Sequence, residues 1–195
     1  MDKSKIDYTL YLVTDRRLMS CKTIEESVSL AIDGGASVVQ LREKDCSSRE
    51  FYELAVRVKK ITDPRKVPLI INDRIDIALA ANADGVHLGQ SDIPCHEARK
   101  ILGADKIIGV SAALPEEAAQ AQADGADYLG VGAVFSTQTK TNTRPVTPGI
   151  IRQIRSAVTI PFVVIGGINS ENIKELYGLG VNGAAVVSSV VAQPD

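Results

Sequence analysis

Asp33-Gly34-Gly35-Ala36-Ser37-Val38-Val39 compresses a helix end, a tight turn and the start of a strand into one short stretch. Glycine suits a helix C-cap, and the short residues that follow let the strand begin in close quarters. The pattern recurs as Ala81-Asn82-Ala83-Asp84-Gly85-Val86, as Asp124-Gly125-Ala126-Asp127-Tyr128 and as Leu179-Gly180-Val181-Asn182-Gly183-Ala184. Apolar, β-branched runs occupy 9–13, 37–41, 68–71, 85–88, 106–110, 128–131, 161–165 and 183–187. Stretches of helical periodicity separate them, giving seven candidate helices, among them 24–33, 49–61, 93–102, 115–123 and 172–179. Strands alternating with helices indicate βαβ units and a parallel sheet. Each copy of the repeat precedes an even-numbered strand. A period of two βα units fits an eightfold closed sheet better than an open one, whose strand order reverses midway. The expectation is one (β/α)₈ TIM-barrel domain over 1–195, with an open α/β sheet as the alternative. Only Ser188 to Asp195 follow the eighth run, too few for the C-terminal helix expected there, which is apparently missing from this chain.

Composition narrows the partners. The chain has 195 residues, 45% of them hydrophobic, enough to bury the core of one domain. A net charge of −2 and a pI near 5.8 give no general attraction to nucleic acid or to an anionic membrane. Cys21, Cys46 and Cys95 are odd in number and form no CxxC pair, which suits a reduced cytoplasmic protein. The polar start and the lack of a long apolar run give no signal peptide and no membrane span. A homo-oligomer stays open.

In a barrel of this kind, reactive residues gather at the carboxyl ends of the strands. Strand two ends in Gln40-Leu41-Arg42-Glu43-Lys44, where alternation puts Gln40, Arg42 and Lys44 on one face. A barrel mouth and an ordinary solvated strand exit both fit this pattern. Strands three and four end in Asn72-Asp73-Arg74 and His87-Leu88-Gly89-Gln90-Ser91-Asp92. Two carboxylates at adjacent strand ends can share one hard cation, with waters and substrate phosphates completing its shell. The competing reading makes Asp73 and Asp92 helix N-caps. His87, inside its strand, reads as a buried hydrogen-bonding residue rather than a base, and His96 as a surface residue.

After strand six, residues 130–145 form the longest irregular stretch, with hydroxyls and two cations, the composition of a binding loop or lid. Strand seven ends in Gly166-Gly167, and strand eight in Val187-Ser188-Ser189. These two loops form the recurrent phosphate site of such barrels, where glycine lets backbone N–H groups approach an oxyanion.

Taken in order, Gln40 to Lys44, Asn72-Asp73, His87 to Asp92, Gly109-Val110-Ser111, Thr137-Gln138-Thr139-Lys140, Gly166-Gly167-Ile168 and Val187-Ser188-Ser189 closely resemble thiamine phosphate synthase. The resemblance covers nearly the whole chain. It implies an enzyme, a transferase of thiamine biosynthesis, joining hydroxymethylpyrimidine diphosphate to hydroxyethylthiazole phosphate with release of pyrophosphate. It assigns Gln40, Leu41, Arg42, Glu43, Lys44, Asn72, Ser111 and Lys140 to the pyrimidine diphosphate. Asp73 and Asp92 become ligands of Mg²⁺. Thr137, Thr139, Gly167, Val187 and Ser188 match the thiazole phosphate contacts, with Gln138 among the substrate-binding residues. Arg42, Lys44, Lys140 and Ser111 are the candidate catalytic side chains. The chemistry needs no protein nucleophile: the electron-rich aminopyrimidine carries the developing positive charge, while the protein neutralises the departing pyrophosphate and excludes water. A thiazole tautomerase, which has no use for the diphosphate half of the site, and a non-catalytic barrel that binds thiamine phosphate are the alternatives.

Overall fold

The computed structural model describes residues 2–136 and 144–193. Eight parallel strands close into a barrel in sequence order. They are β1 (Leu10–Val13), β2 (Val38–Leu41), β3 (Leu69–Asn72), β4 (Gly85–Leu88), β5 (Ile107–Ala112), β6 (Tyr128–Gly132), β7 (Phe162–Ile165) and β8 (Gly183–Val186). The ring closes where Tyr11 of β1 pairs with Ala185 of β8. Around it run α1 (Ile24–Asp33), α2 (Ser48–Thr62), α3 (Ile75–Ala80), α4 (Cys95–Leu102), α5 (Pro115–Ala123) and α6 (Pro148–Ala157), and after β8 the single turn α7 (Ser188–Val191). No helix among the described residues is long and apolar enough to cross a membrane.

The repeat has a physical basis in strand pairing. Ser37, Asp84, Asp127 and Asn182 each stand just before an even strand and clamp the odd strand beside it in two directions. Their backbone N–H groups donate to Leu10, Leu69, Ile108 and Phe162 at 2.8–2.9 Å. Their side chains accept the N–H of the same four residues, at 3.2, 2.8, 2.8 and 3.0 Å. A short polar residue at this point satisfies a strand-start donor that would otherwise be buried without a partner.

Alternation along the strands makes two cores. Leu12, Val39, Leu41, Ile71, Val86, Leu88, Ile108, Leu129, Phe162 and Val164 face outward and pack under the helices. Tyr11, Val13, Val38, Ile70, Ile107, Tyr128, Val163 and Ala185 fill the barrel interior. Burying each large apolar side chain of these layers contributes about 1.5–3 kcal/mol.

Three local expectations need correction. The helix expected over 172–179 is a 3₁₀ turn, Ile173–Leu176, because glycines at 178 and 180, both at positive φ, turn the chain away. The helix expected from 93 begins at Cys95, since Pro94 takes the cap position in extended geometry. In α2 the start is set by a capping box in which Ser47 and Glu50 satisfy each other's backbone N–H, so the helix opens at Ser48.

Candidate functional site

At the carboxyl mouth, the inward-facing positions turn from apolar to polar. Gln40, Asn72, His87 and Ser111 come from β2, β3, β4 and β5 and line a cavity of about 200 Å³ with Arg42, Tyr11 and Tyr128. Gly166, Gly167, Val187 and Ser188 line its other side, so the two halves of the expected site share one cavity. Room for the large polar rings is made by glycine. A Cβ at Gly109 would collide with the ring of Tyr128, and one at Gly130 would lie 2.9 Å from His87 Cε1.

The polar residues are tied into a chain. Gln40 Nε2 donates to the Tyr11 hydroxyl at 2.8 Å. The Tyr11 and Tyr128 hydroxyls are 2.6 Å apart, Tyr128 lies 2.9 Å from His87 Nδ1, and His87 Nε2 lies 3.0 Å from Ser111 Oγ. Burial holds both tyrosines neutral, pushing their hydroxyls well above the usual range. His87 is thus the buried hydrogen-bonding histidine expected, and His96, half exposed, pairs with Glu97 and Asp124 at the surface.

The mouth is also charged. Arg42 Nη1 pairs with Asp15 Oδ2 at 3.1 Å, and its backbone N–H donates to Thr14 Oγ1 at 3.0 Å. Lys44 reaches across to Asp73 Oδ2 at 3.2 Å. Arg42 and Asp15 also border a wider cavity of about 780 Å³, which Lys44, Glu43 and Arg57 line. Glu43 is turned into that second space against Arg16, at 3.1 Å. Leu41 is fully buried in the outer layer, so only its backbone is near the mouth.

Neither aspartate caps a helix. The N-cap of α3 is Arg74 and that of α4 is Pro94, both without a side-chain cap bond. Asp73 sits just beyond β3 at φ 63°, a conformation uncommon for a residue with a Cβ and often found where function fixes the backbone. Asp92 Oδ2 accepts the Gly89 N–H at 2.6 Å. Its carboxyl is pushed up chiefly by burial and further by the adjacent Asp73 charge, against the lowering pull of the Gly89 bond and of Lys44. The two carboxylates are therefore close enough for the charge on Asp73 to act on Asp92.

Gly166 and Gly167 both lie at positive φ, 110° and 63°. Strand β6 leaves the barrel beside them, with Val134 N–H donating to Ile165 at 3.0 Å and Phe135 N–H to Gly166 at 3.1 Å. The returning chain is pinned there too, Ala133 N–H donating to Arg144 at 3.1 Å and Val146 N–H to Ala133 at 2.8 Å. Thr137, Gln138, Thr139 and Lys140 lie between these anchors, outside the described residues.

The family model described as Thiamine monophosphate synthase matches residues 10–190. The chain belongs to the thiamine monophosphate synthase family. The thiamine-phosphate synthase of Ruminiclostridium cellulolyticum is 61% identical over 99% of this chain and 92% of that protein. That of Clostridium beijerinckii is 57% identical with the same coverage. Among solved structures, a thiamine phosphate pyrophosphorylase from Pyrococcus furiosus superimposes with a TM-score of 0.89 at 41% identity, covering 97% of this chain and 90% of that one.

Within this member of the thiamine monophosphate synthase family, three site residues escaped the sequence reading. Asp15 continues the inward parity of Tyr11 and Val13 beyond β1, so the alternation that picked out Gln40 and Arg42 would have found it. Tyr11 and Tyr128 carried no such signal, because a tyrosine in an apolar strand reads as core until its hydroxyl finds a partner.

Proposed function

We propose that this chain is a thiamine phosphate synthase, joining hydroxymethylpyrimidine diphosphate to hydroxyethylthiazole phosphate and releasing pyrophosphate. The observation that carries the reading is the cluster of Arg42, Lys44, Asp73 and Asp92 at the exits of β2 to β4, beside a polar cavity that continues to Gly167 and Ser188. A tautomerase needs only the thiazole half and has no use for that charged cluster. Three unpaired thiols, Cys21, Cys46 and Cys95, suit a reduced, cytoplasmic setting.

The aspartates fit a magnesium ion. They are hard oxygen donors close enough to repel each other, where that repulsion and burial make a divalent cation favourable, and Lys44 offsets only part of their charge. Among the described residues no third His, Cys, Asp or Glu completes a protein cage, which suits an ion that keeps waters and takes substrate phosphate oxygens. Bound between Asp73 and Asp92, Mg²⁺ would neutralise charge on the diphosphate.

The chain's own residues do the rest. Arg42 and Lys44 offer fixed positive charge to the departing pyrophosphate, and Lys140, outside the described residues, is the third cation proposed for it. Gln40, Asn72 and Ser111 orient the pyrimidine in the cavity, and its apolar walls keep water from the carbon that becomes cationic. The thiazole phosphate rests on the backbone N–H groups of Gly167 and Ser188; the latter opens α7, where a helical N–H has no intrahelical acceptor. Val187 lines that side of the cavity, and Thr137, Gln138 and Thr139, outside the described residues, are the further contacts proposed for the same phosphate. Incubating the purified protein with both substrates and Mg²⁺ tests the proposal. Equal amounts of thiamine phosphate and pyrophosphate are expected, and the absence of both would overturn it.

A further inference from the structure

We propose that Tyr11, Tyr128 and His87 act as positioning residues, forming a relay across the barrel interior that couples the hydrogen-bonding sense of Gln40 to that of Ser111. The relay links β2, β1, β6, β4 and β5 in turn, through contacts of 2.8, 2.6, 2.9 and 3.0 Å. Because β1 and β6 are not neighbours in the sheet, it bridges the lumen rather than following a strand pair.

Proton counting permits two senses. Each tyrosine hydroxyl has one proton to give, a neutral imidazole gives from one nitrogen and accepts at the other, and the Gln40 amide offers either end after a half-turn. In the first sense, Gln40 N–H donates to Tyr11, Tyr11 to Tyr128 and Tyr128 to His87 Nδ1. His87 then carries its proton on Nε2 and donates to Ser111, whose own O–H is released toward the cavity. Gln40 simultaneously turns its carbonyl oxygen to the cavity. In the second sense every bond reverses: Ser111 donates to His87 Nε2, His87 carries its proton on Nδ1, and Gln40 presents N–H.

Mixed states leave a buried tyrosine proton without an acceptor, or two protons facing each other, and so carry the desolvation cost of an unsatisfied buried group. Tyr11 is 1% exposed and Tyr128 fully buried, so water does not relieve that cost. Gln40 and Ser111 are therefore polarised together. Resting on the functional reading above, the bound pyrimidine diphosphate selects the first sense, because phosphate oxygens only accept and an exocyclic amino group donates.

The test reads the relay without substrate. Only two histidines occur in the chain, so the ring nitrogens of His87 are assigned by comparison with a His96→Gln control. Two variants push the relay in opposite directions. In Gln40→Glu a carboxylate can only accept, so Tyr11 must donate to it, Tyr128 to Tyr11, and His87 must hold its proton on Nδ1. In Tyr11→Phe the Tyr128 proton has His87 Nδ1 left as its acceptor among the described residues, so His87 holds its proton on Nε2. Long-range ¹H–¹⁵N correlation spectra of histidine-labelled protein at pH 8 should show these opposite tautomers. The same tautomer in both folded variants overturns the relay.

A positioning role also predicts that Tyr128→Phe raises KM for the pyrimidine diphosphate about tenfold while kcat changes less than about threefold; unchanged KM would overturn that role. Failure of the wild-type protein to make thiamine phosphate would sink the functional reading and leave the tautomer result standing.

Discussion

Replacing Gly167 by valine tests the proposed thiazole phosphate site, where the backbone N–H is the proposed donor. Gly167 lies at φ 63°, and a side chain there meets the Ser136 carbonyl and comes within 3.0 Å of Phe135 Cβ. A β-branched residue in the left-handed region costs about 1–2 kcal/mol, and overpacking costs about 1–3 kcal/mol more. The strand end relieves that strain by shifting, which carries the Gly167 N–H away from the phosphate. Losing a hydrogen bond to a charged group is worth about 1.5–3 kcal/mol, or roughly 10- to 150-fold in affinity. Ser188→Ala keeps its N–H in place, so its effect should stay within about threefold, the range of a substitution worth about 0.5 kcal/mol. Calorimetric titration of both variants with hydroxyethylthiazole phosphate makes the comparison. Equal, small losses in the two variants would refute the backbone placement.

Further outcomes follow from the charged mouth and the lumen. Lys44→Arg should retain part of the synthesis rate and Lys44→Gln should lose about 100-fold, read as kcat/KM, because the role proposed for Lys44 needs positive charge rather than a proton acceptor. Asp92 has its carboxyl raised in the folded protein, so folding favours the protonated form and stability falls as pH rises through the ordinary carboxylate range toward the raised value. Asp92→Asn should remove that fall in melting curves taken with a chelator between pH 4 and pH 7; identical pH profiles would contradict it. Gly109→Ala should destabilise by about 3 kcal/mol in urea titration, since its Cβ meets a Tyr128 ring held by hydrogen bonds at its hydroxyl and packed 5.0 Å from Tyr8. A cost below about 1 kcal/mol would show that the ring can yield.

Much of this architecture was legible because two periodicities are written into the chain. The helix-to-strand repeat marks the even strands, and the structure shows why: Ser37, Asp84, Asp127 and Asn182 each clamp the neighbouring odd strand. Strand parity put Gln40 and Arg42 on one face, while leaving a barrel mouth and a solvated strand exit both open. It could not decide whether Asp73 and Asp92 were caps, because both roles use the same residue type at the same place, and only the backbone of α3 and α4 separates them. Tyr11 and Tyr128 were invisible for a different reason: they come from β1 and β6, and their hydroxyls meet only when the barrel closes. The 3₁₀ turn at 173–176 shows apolar spacing overridden by two glycines that follow it.

The proposed metal site, in which Asp73 and Asp92 hold the metal of a departing pyrophosphate, is tested most directly by anomalous diffraction from crystals grown with Mn²⁺, pyrophosphate and thiamine phosphate. One anomalous peak is expected within bonding distance, about 2.0–2.3 Å, of a carboxylate oxygen from each aspartate, with pyrophosphate oxygens beside Arg42 and Lys44. A pyrophosphate bound there with no peak between the two carboxylates would contradict it.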